Sequence, residues 1–198
     1  MLVRDVMTRP VVACAPGVRV EEALALLRRG RFRHLPVVEA GALVGIVSDR
    51  DLQPAAPETT LEELMHPPIT VDSRTPIEQA AWLMEQNKIG SLPVVDDGEL
   101  VGLVTSSDLF HVLVRLLGVL EPSSRLEARL ERPTEQLAEL TQVVAEHGAP
   151  LVSLITEPPD ASGQRRVVVR LATIDPRPVV AELARRGIVV AELEGASS

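Results

Sequence analysis

A ten-residue phrase occurs twice in this chain, as LVGIVSDRDL from Leu43 to Leu52 and as LVGLVTSSDL from Leu100 to Leu109. It is the centre of a longer repeat. His34–Leu52 aligns on Ser91–Leu109 without a gap, and 11 of the 19 pairs are identical, Leu35-Pro36-Val37-Val38 with Leu92-Pro93-Val94-Val95 among them. Upstream, Val20-Glu21-Glu22-Ala23 faces Ile77-Glu78-Gln79-Ala80 at the same offset, and beyond a single-residue gap Val6-Met7 faces Leu64-Met65. Each unit is about 60 residues, and two of them fill the chain to about residue 120. Such a repeat constrains the fold more than composition does: one supersecondary part is built twice, and neither copy buries its apolar face alone.

Periodicity supplies the content of a unit. Val20, Ala23, Leu24 and Leu27 fall at i, i+3, i+4 and i+7, one face of a helix, and Ile77, Ala80, Ala81 and Met84 repeat the pattern. Thr75, Pro76 and Glu78 predict an N-cap, a first-turn proline and a capping box for the second of these helices. Leu35–Val38 and Leu43–Val47 read as two strands around a turn at Ala40-Gly41, and a polar helix start follows at Ser48 or Thr105. The two small sheets are expected to pair.

Composition narrows the functions open to such a pair. The chain carries two Phe, one Trp and no Tyr, so its cores are aliphatic, and it lacks the stacking residues of single-strand nucleic-acid binders. Net charge is −8, with 11 basic against 17 acidic residues through 124 and 9 against 11 after it. Wholesale attraction to phosphate backbones is excluded on that balance, and no nucleic-acid partner is expected. The single cysteine, Cys14, excludes an internal disulfide and fits a reducing compartment. MLVRDVMTRP holds no apolar signal region, and the apolar stretch Leu109–Leu120 is interrupted by Arg115 and too short to span a bilayer. The expectation is a cytoplasmic protein that does not enter a membrane.

Met7-Thr8-Arg9-Pro10 near the start, Leu-Pro-Val-Val in mid-unit and Gly-Ile-Val-Ser-Asp-Arg-Asp-Leu at residues 45–52 together resemble the CBS domain. Their tandem occurrence resembles a Bateman module. The resemblance implies two β-α-β-β-α units (1–57 and 58–120) related by a pseudo-twofold. It also implies clefts that take AMP, ADP, ATP or a related adenosyl compound as a regulatory ligand, with no cofactor required.

The residues suit that chemistry. Ser48-x-x-Asp51 and Thr105-x-x-Asp108 stand where a strand turns into a helix, whose free N–H groups and partial positive charge favour a phosphate. The hydroxyl can donate to a phosphate oxygen, and a carboxylate one turn on can accept from ribose hydroxyls. The same spacing is close to a capping box, so both readings stand, and they are compatible. Gly45 and Gly102 leave room for a ligand or a neighbouring strand. The copies differ: Arg31, Arg33, His34 and Arg50 in the first face Lys88, Gly90, Ser91 and Ser107 in the second. A guanidinium fork matches phosphate geometry, so stronger phosphate binding is expected around the first copy. By resemblance, adenine lies against Val12-Ala13 and Thr70-Val71.

Beyond a linker at residues 121–125, residues 126–198 read as strand, helix, two strands, helix, strand. Leu126, Ala128 and Leu130 alternate, Thr134 is placed to cap a helix running to about His147, and Leu151–Thr156 and Val167–Leu171 pair. A helix from Asp175-Pro176 to Gly187 and a strand at Ile188–Leu193 complete the order. This ferredoxin-like βαββαβ region resembles an ACT domain, which implies dimerisation, partner contact or amino-acid binding. Its turn Glu131-Arg132-Pro133-Thr134-Glu135 lacks the glycine of amino-acid-binding members. Tandem CBS followed by ACT resembles the AcuB-type proteins of acetoin utilisation. The whole is expected to be an α/β (α+β) chain acting as a homodimer, with a partner enzyme as a further expectation. Rival readings are amino-acid sensing and a ligand-free assembly module. Four histidines without metal-ligand spacing, and no nucleophile or phosphate-loop motif, give no reason to expect catalysis.

Overall fold

The computed structural model describes residues 1–194 and divides into two compact units, residues 1–110 and residue 111 onward. In the first, helix α1 (Val20–Gly30) precedes the hairpin β1 (His34–Glu39) and β2 (Ala42–Ser48), and the short helix α2 (Asp49–Leu52) ends the first copy. After helix α3 (Leu61–Leu64), helix α4 (Ile77–Asn87), the hairpin β3 (Ser91–Asp96) and β4 (Glu99–Thr105) and helix α5 (Ser106–Leu116) repeat the plan. The helices bury the predicted faces: Val20, Ala23 and Leu27 on α1, and Ile77, Ala80 and Met84 on α4. Both hairpins turn through two left-handed residues, Ala40-Gly41 and Asp97-Gly98, whose twist matches that of paired strands. The sheet order is β1-β2-β4-β3, and the two hairpins meet at a single antiparallel pair, Ala42 with Glu99. The leading extended segments reduce to single parallel bridges, Cys14 to Val37 and Val71 to Val94.

The leading helical turn of each repeat packs into the core of the other. A 3₁₀ turn at Val3–Asp5 donates from the Val3 and Arg4 N–H groups to Thr75 and Ser73 carbonyls, both at 2.9 Å. Val3, fully buried, joins Val71, Ile77, Ala80, Leu92, Val94 and Val104. In return α3 donates from Leu61 to the Val18 carbonyl and from Glu62 to that of Pro16, both at 3.0 Å. Leu61, also fully buried, joins Val20, Ala23, Leu27, Leu35 and Leu52. The arms then bridge the opposite hairpins, Thr8 to Leu103 and His66 to Ile46.

This exchange explains Gly45 and Gly102. A methyl at Gly45 would stand 2.5 Å from Met65 Sδ, and one at Gly102 would stand 2.3 Å from Met7 Sδ. The space the glycines leave is filled by the crossing methionines, so of the two approaches read from the sequence the neighbouring chain is the one found. Thr75 also departs from expectation. Its hydroxyl accepts from the Asp72 N–H at 3.2 Å, Pro76 stands at the N-cap, and no capping box forms on α4. Proline at that position already fixes the entry geometry and needs no side-chain acceptor.

In the second unit, strands β5 (Ser124–Leu130), β6 (Leu151–Thr156), β7 (Arg165–Leu171) and β8 (Val189–Glu194) form an antiparallel sheet in the order β6-β7-β5-β8. Helices α6 (Pro133–Glu146) and α7 (Arg177–Arg185) complete the βαββαβ sequence of elements, and Leu140, Val143, Val144, Val179 and Leu183 pack on Leu126, Ala128, Leu130, Val167, Val169 and Leu171. The division between units falls inside α5, ahead of the linker read from composition, and Ser124 is already strand, its hydroxyl donating to the Thr173 carbonyl at 2.7 Å. Thr134 lies within α6 and is not its cap. Instead the buried Gln136 accepts from the Arg132 N–H at 2.9 Å and donates to the Gly187 carbonyl at 3.4 Å, closing both turns with one amide. Among the described residues no helix is long and apolar enough to cross a membrane.

Candidate functional site

Both hydroxyl-x-x-Asp motifs form complete capping boxes. Asp51 Oδ2 accepts from the Ser48 N–H and from the Ser48 hydroxyl, each at 2.7 Å. Asp108 Oδ2 does the same with Thr105, at 2.8 Å from the N–H and 2.6 Å from the hydroxyl. One oxygen of each carboxylate is therefore committed to its own helix, which leaves Oδ1 for other contacts.

The two Oδ1 atoms have different surroundings. Asp51 Oδ1 meets His66 Nε2 at 3.3 Å. His66 reaches it because the crossing arm is bridged to Ile46, which places residue 66 beside the end of β2. The position equivalent to His66 on the other arm is Thr8, bridged to Leu103. Burial by itself would raise the Asp51 pKa, but the Ser48 hydroxyl, the Ser48 N–H and His66 outweigh it and hold the carboxyl below its ordinary range. Asp51 is thus ionised at neutral pH.

A cavity of about 980 Å³ runs between the two repeats and is lined from both. That volume stands at the upper end of the range for small-molecule sites, roughly 300–1,000 Å³. Of the residues singled out in the sequence, Val12, Arg33, His34, Ser48, Arg50, Asp51, Gly90, Ser91 and Thr105 line it, and Ala13, Thr70, Val71 and Asp108 do not. Val71 is buried alongside β3, its N–H donating to the Pro93 carbonyl at 3.1 Å. Arg31 and Lys88 line the same cavity as the two unequal halves' hydroxyls, so the basic residues of both copies face one space. Thr8, His66 and Ile69 join the lining without having been picked out as site residues, because the exchange of arms brings them there, and Ser106 joins it at the start of α5, next to Thr105. The unmatched Thr8-Arg9-Pro10 and His66-Pro67-Pro68 after each repeated methionine carried the available signal.

His34 lines this cavity from the first copy. Its ring sits over Gly90, where a methyl would come within 3.2 Å of Cε1, so the absent side chain of one copy admits the imidazole of the other. Burial lowers the His34 pKa; Asp49 and Asp51 oppose the shift, and Arg33 and Arg50 add to it. A folded-state pKa below the unfolded value of 6.5 means that the unfolded chain takes up the proton first. This group's contribution to stability is therefore complete above that pH and declines as pH falls beneath it. Urea titrations at about pH 7.5 and pH 5.5 are expected to show a smaller acid loss in His34→Gln than in the parent chain. Equal losses would show that another group carries the dependence.

Among the described residues no group of three or more His, Cys, Asp or Glu is placed to hold a metal ion. Cys14 is buried, and burial, with Glu22 nearby, pushes its thiol pKa upward, away from nucleophile chemistry.

Comparison with known proteins converges on one family. The CBS domain model matches residues 3–58 and again 59–115. Three solved structures are similar over more than half of the chain. One is assigned to acetoin utilization (AcuB) in Vibrio cholerae, at 37% identity over 61% of this chain and 96% of that one, with a TM-score of 0.56. A CBS domain pair in complex with 5′-methylthioadenosine and S-adenosyl-L-methionine matches at 33% identity, covering 57% of this chain and 95% of that one, with a TM-score of 0.55. The CBSX2 protein in complex with AMP matches at 32% identity, covering 57% and 96%, with a TM-score of 0.52.

Proposed function

The chain belongs to the CBS domain family, with two CBS domains in tandem over residues 3–115, and from that premise we propose that it is a non-catalytic regulatory protein that binds an adenine nucleotide or a related adenosyl ligand between them. The observation that carries the reading is the cavity shared by the two repeats, with an ionised Asp51 at its edge. Asp51 Oδ2 holds the helix, and Oδ1 accepts from the ribose diol in place of His66. The Ser48, Thr105 and Ser106 hydroxyls also line the cavity, and each donates to a phosphate oxygen by turning its single proton away from Asp51, Asp108 or the Gly90 carbonyl. Adenosyl ligands in two of the similar structures support this choice of chemistry.

In the same reading the second unit is ACT-like and serves dimerisation, and the ligand acts by binding one arrangement of the dimer more tightly than another, which changes contact with a partner enzyme. The Glu131–Glu135 turn lacks the glycine of amino-acid-binding members, which favours assembly over amino-acid capture there. The link to acetoin utilisation rests on the likeness to the Vibrio structure. Titration calorimetry of the full chain with AMP, ADP, ATP and S-adenosylmethionine is expected to give saturable binding for at least one. Silence from all four at about millimolar concentration, a free energy weaker than about −4 kcal/mol, would overturn the reading.

A further inference from the structure

We propose, resting on the nucleotide reading, that the ligand of this cavity is a nucleoside polyphosphate, and that Arg31, Arg33 and Arg50 hold the phosphates beyond the first. The chain as a whole carries a net charge of −8, yet this one space is lined by four basic side chains, with Lys88 the fourth, against the two carboxylates Asp49 and Asp51. Lys88 is offset by its ion pair with Glu85 on the same helix end. The three arginines have no ion-pair partner among the described residues. Three unpaired guanidiniums facing one cavity in an acidic protein are a site for concentrated negative charge.

The backbone supports the same conclusion independently. Arg31 and Lys88 are equivalent in the repeat, and each occupies the left-handed residue that ends its helix, at φ 55°. Glycine is the usual residue there, and a side chain with a Cβ is disfavoured. A favourable charge at a helix C-terminus does not require that position, because the last turn, where Arg28 and Arg29 already stand, serves as well. What position 31 adds is a basic side chain at the mouth of the cavity. A monophosphate engages the Ser48 hydroxyl. The arginines then remain for the second and third phosphates, and an uncharged or cationic adenosyl group leaves them unmatched.

The measurement is calorimetry on the full chain with adenosine, AMP, ADP, ATP and inorganic tripolyphosphate. ATP and ADP are expected to bind at least about tenfold more tightly than AMP, and the gap is expected to narrow with salt. In R33Q/R50Q, two exposed positions where folding is not at stake, the preference for ATP over AMP is expected to fall to about twofold or less. Equal affinity for AMP and ATP, or an unchanged preference in R33Q/R50Q, overturns this inference and leaves the nucleotide reading standing. Tripolyphosphate that binds as tightly as ATP, and loses affinity in R33Q/R50Q, upholds the arginine cluster and overturns the adenine reading instead. No binding by any of the five overturns both.

Discussion

Leu61→Ala is expected to destabilise the protein by about 2–5 kcal/mol, the range for truncating a fully buried leucine. It is also expected to loosen the copy to which Leu61 does not belong. Leu61 opens the second repeat but is 0% exposed among Val20, Ala23, Leu27, Leu35 and Leu52 of the first. Its loss leaves a cavity beneath α1 and β1, walled by neighbours already packed on other partners. Urea denaturation followed by amide exchange separates the effects: α1 and β1 should lose more protection than α4 and β3. A larger loss in α4 and β3 would show that each repeat is folded on its own leading segment, and the exchange of arms would then be wrong. Val3 is the reciprocal position, fully buried among Val71, Ile77 and Val94 of the second copy.

The second large effect is on binding. Asp51→Ala and Asp108→Ala each remove an acceptor bonded to the backbone N–H and hydroxyl of the preceding Ser48 or Thr105, and each is expected to cost about 0.5–2 kcal/mol of stability. Only Asp51 lines the cavity. Losing a charged hydrogen bond to the sugar is worth about 1.5–3 kcal/mol, so Asp51→Ala is expected to weaken nucleotide affinity by roughly 10- to 150-fold. Asp108→Ala should leave affinity within about twofold, since Asp108 does not line the cavity. Paired thermal and calorimetric titrations decide the matter. Equal losses of affinity in the two variants would mean that both copies bind sugar, and no loss in either would leave the aspartates as caps alone.

Much of the fold was legible because repetition and periodicity report local preference. The apolar faces of α1 and α4, both hairpins with the Ala40-Gly41 turn of the first, and the βαββαβ order of the second unit follow from spacing within about ten residues. Local reading failed at two helix starts, one decided by an adjacent residue and one by a tertiary partner. Thr75 and Thr134 have the composition of caps, but Pro76 and the buried Gln136 hold those positions. Gln136 shows no cap signature, because its second bond is to Gly187, 51 residues away.

The candidate site divides along the same line. By itself the sequence determined that one part is used twice, that Ser48-Asp51 and Thr105-Asp108 begin helices, and that the first copy is the more basic. These are properties of single segments, set by hydrogen bonds three residues apart and by side-chain type. Only the tertiary structure decided that Gly45 and Gly102 accommodate Met65 and Met7, that His66 reaches Asp51, and that Asp51 faces the shared cavity while Asp108 does not. The reason is the crossing of the two arms. Neither repeat closes its core alone, so each borrows the other's leading turn, and the residues carried across with it line a cavity that neither copy could form by itself.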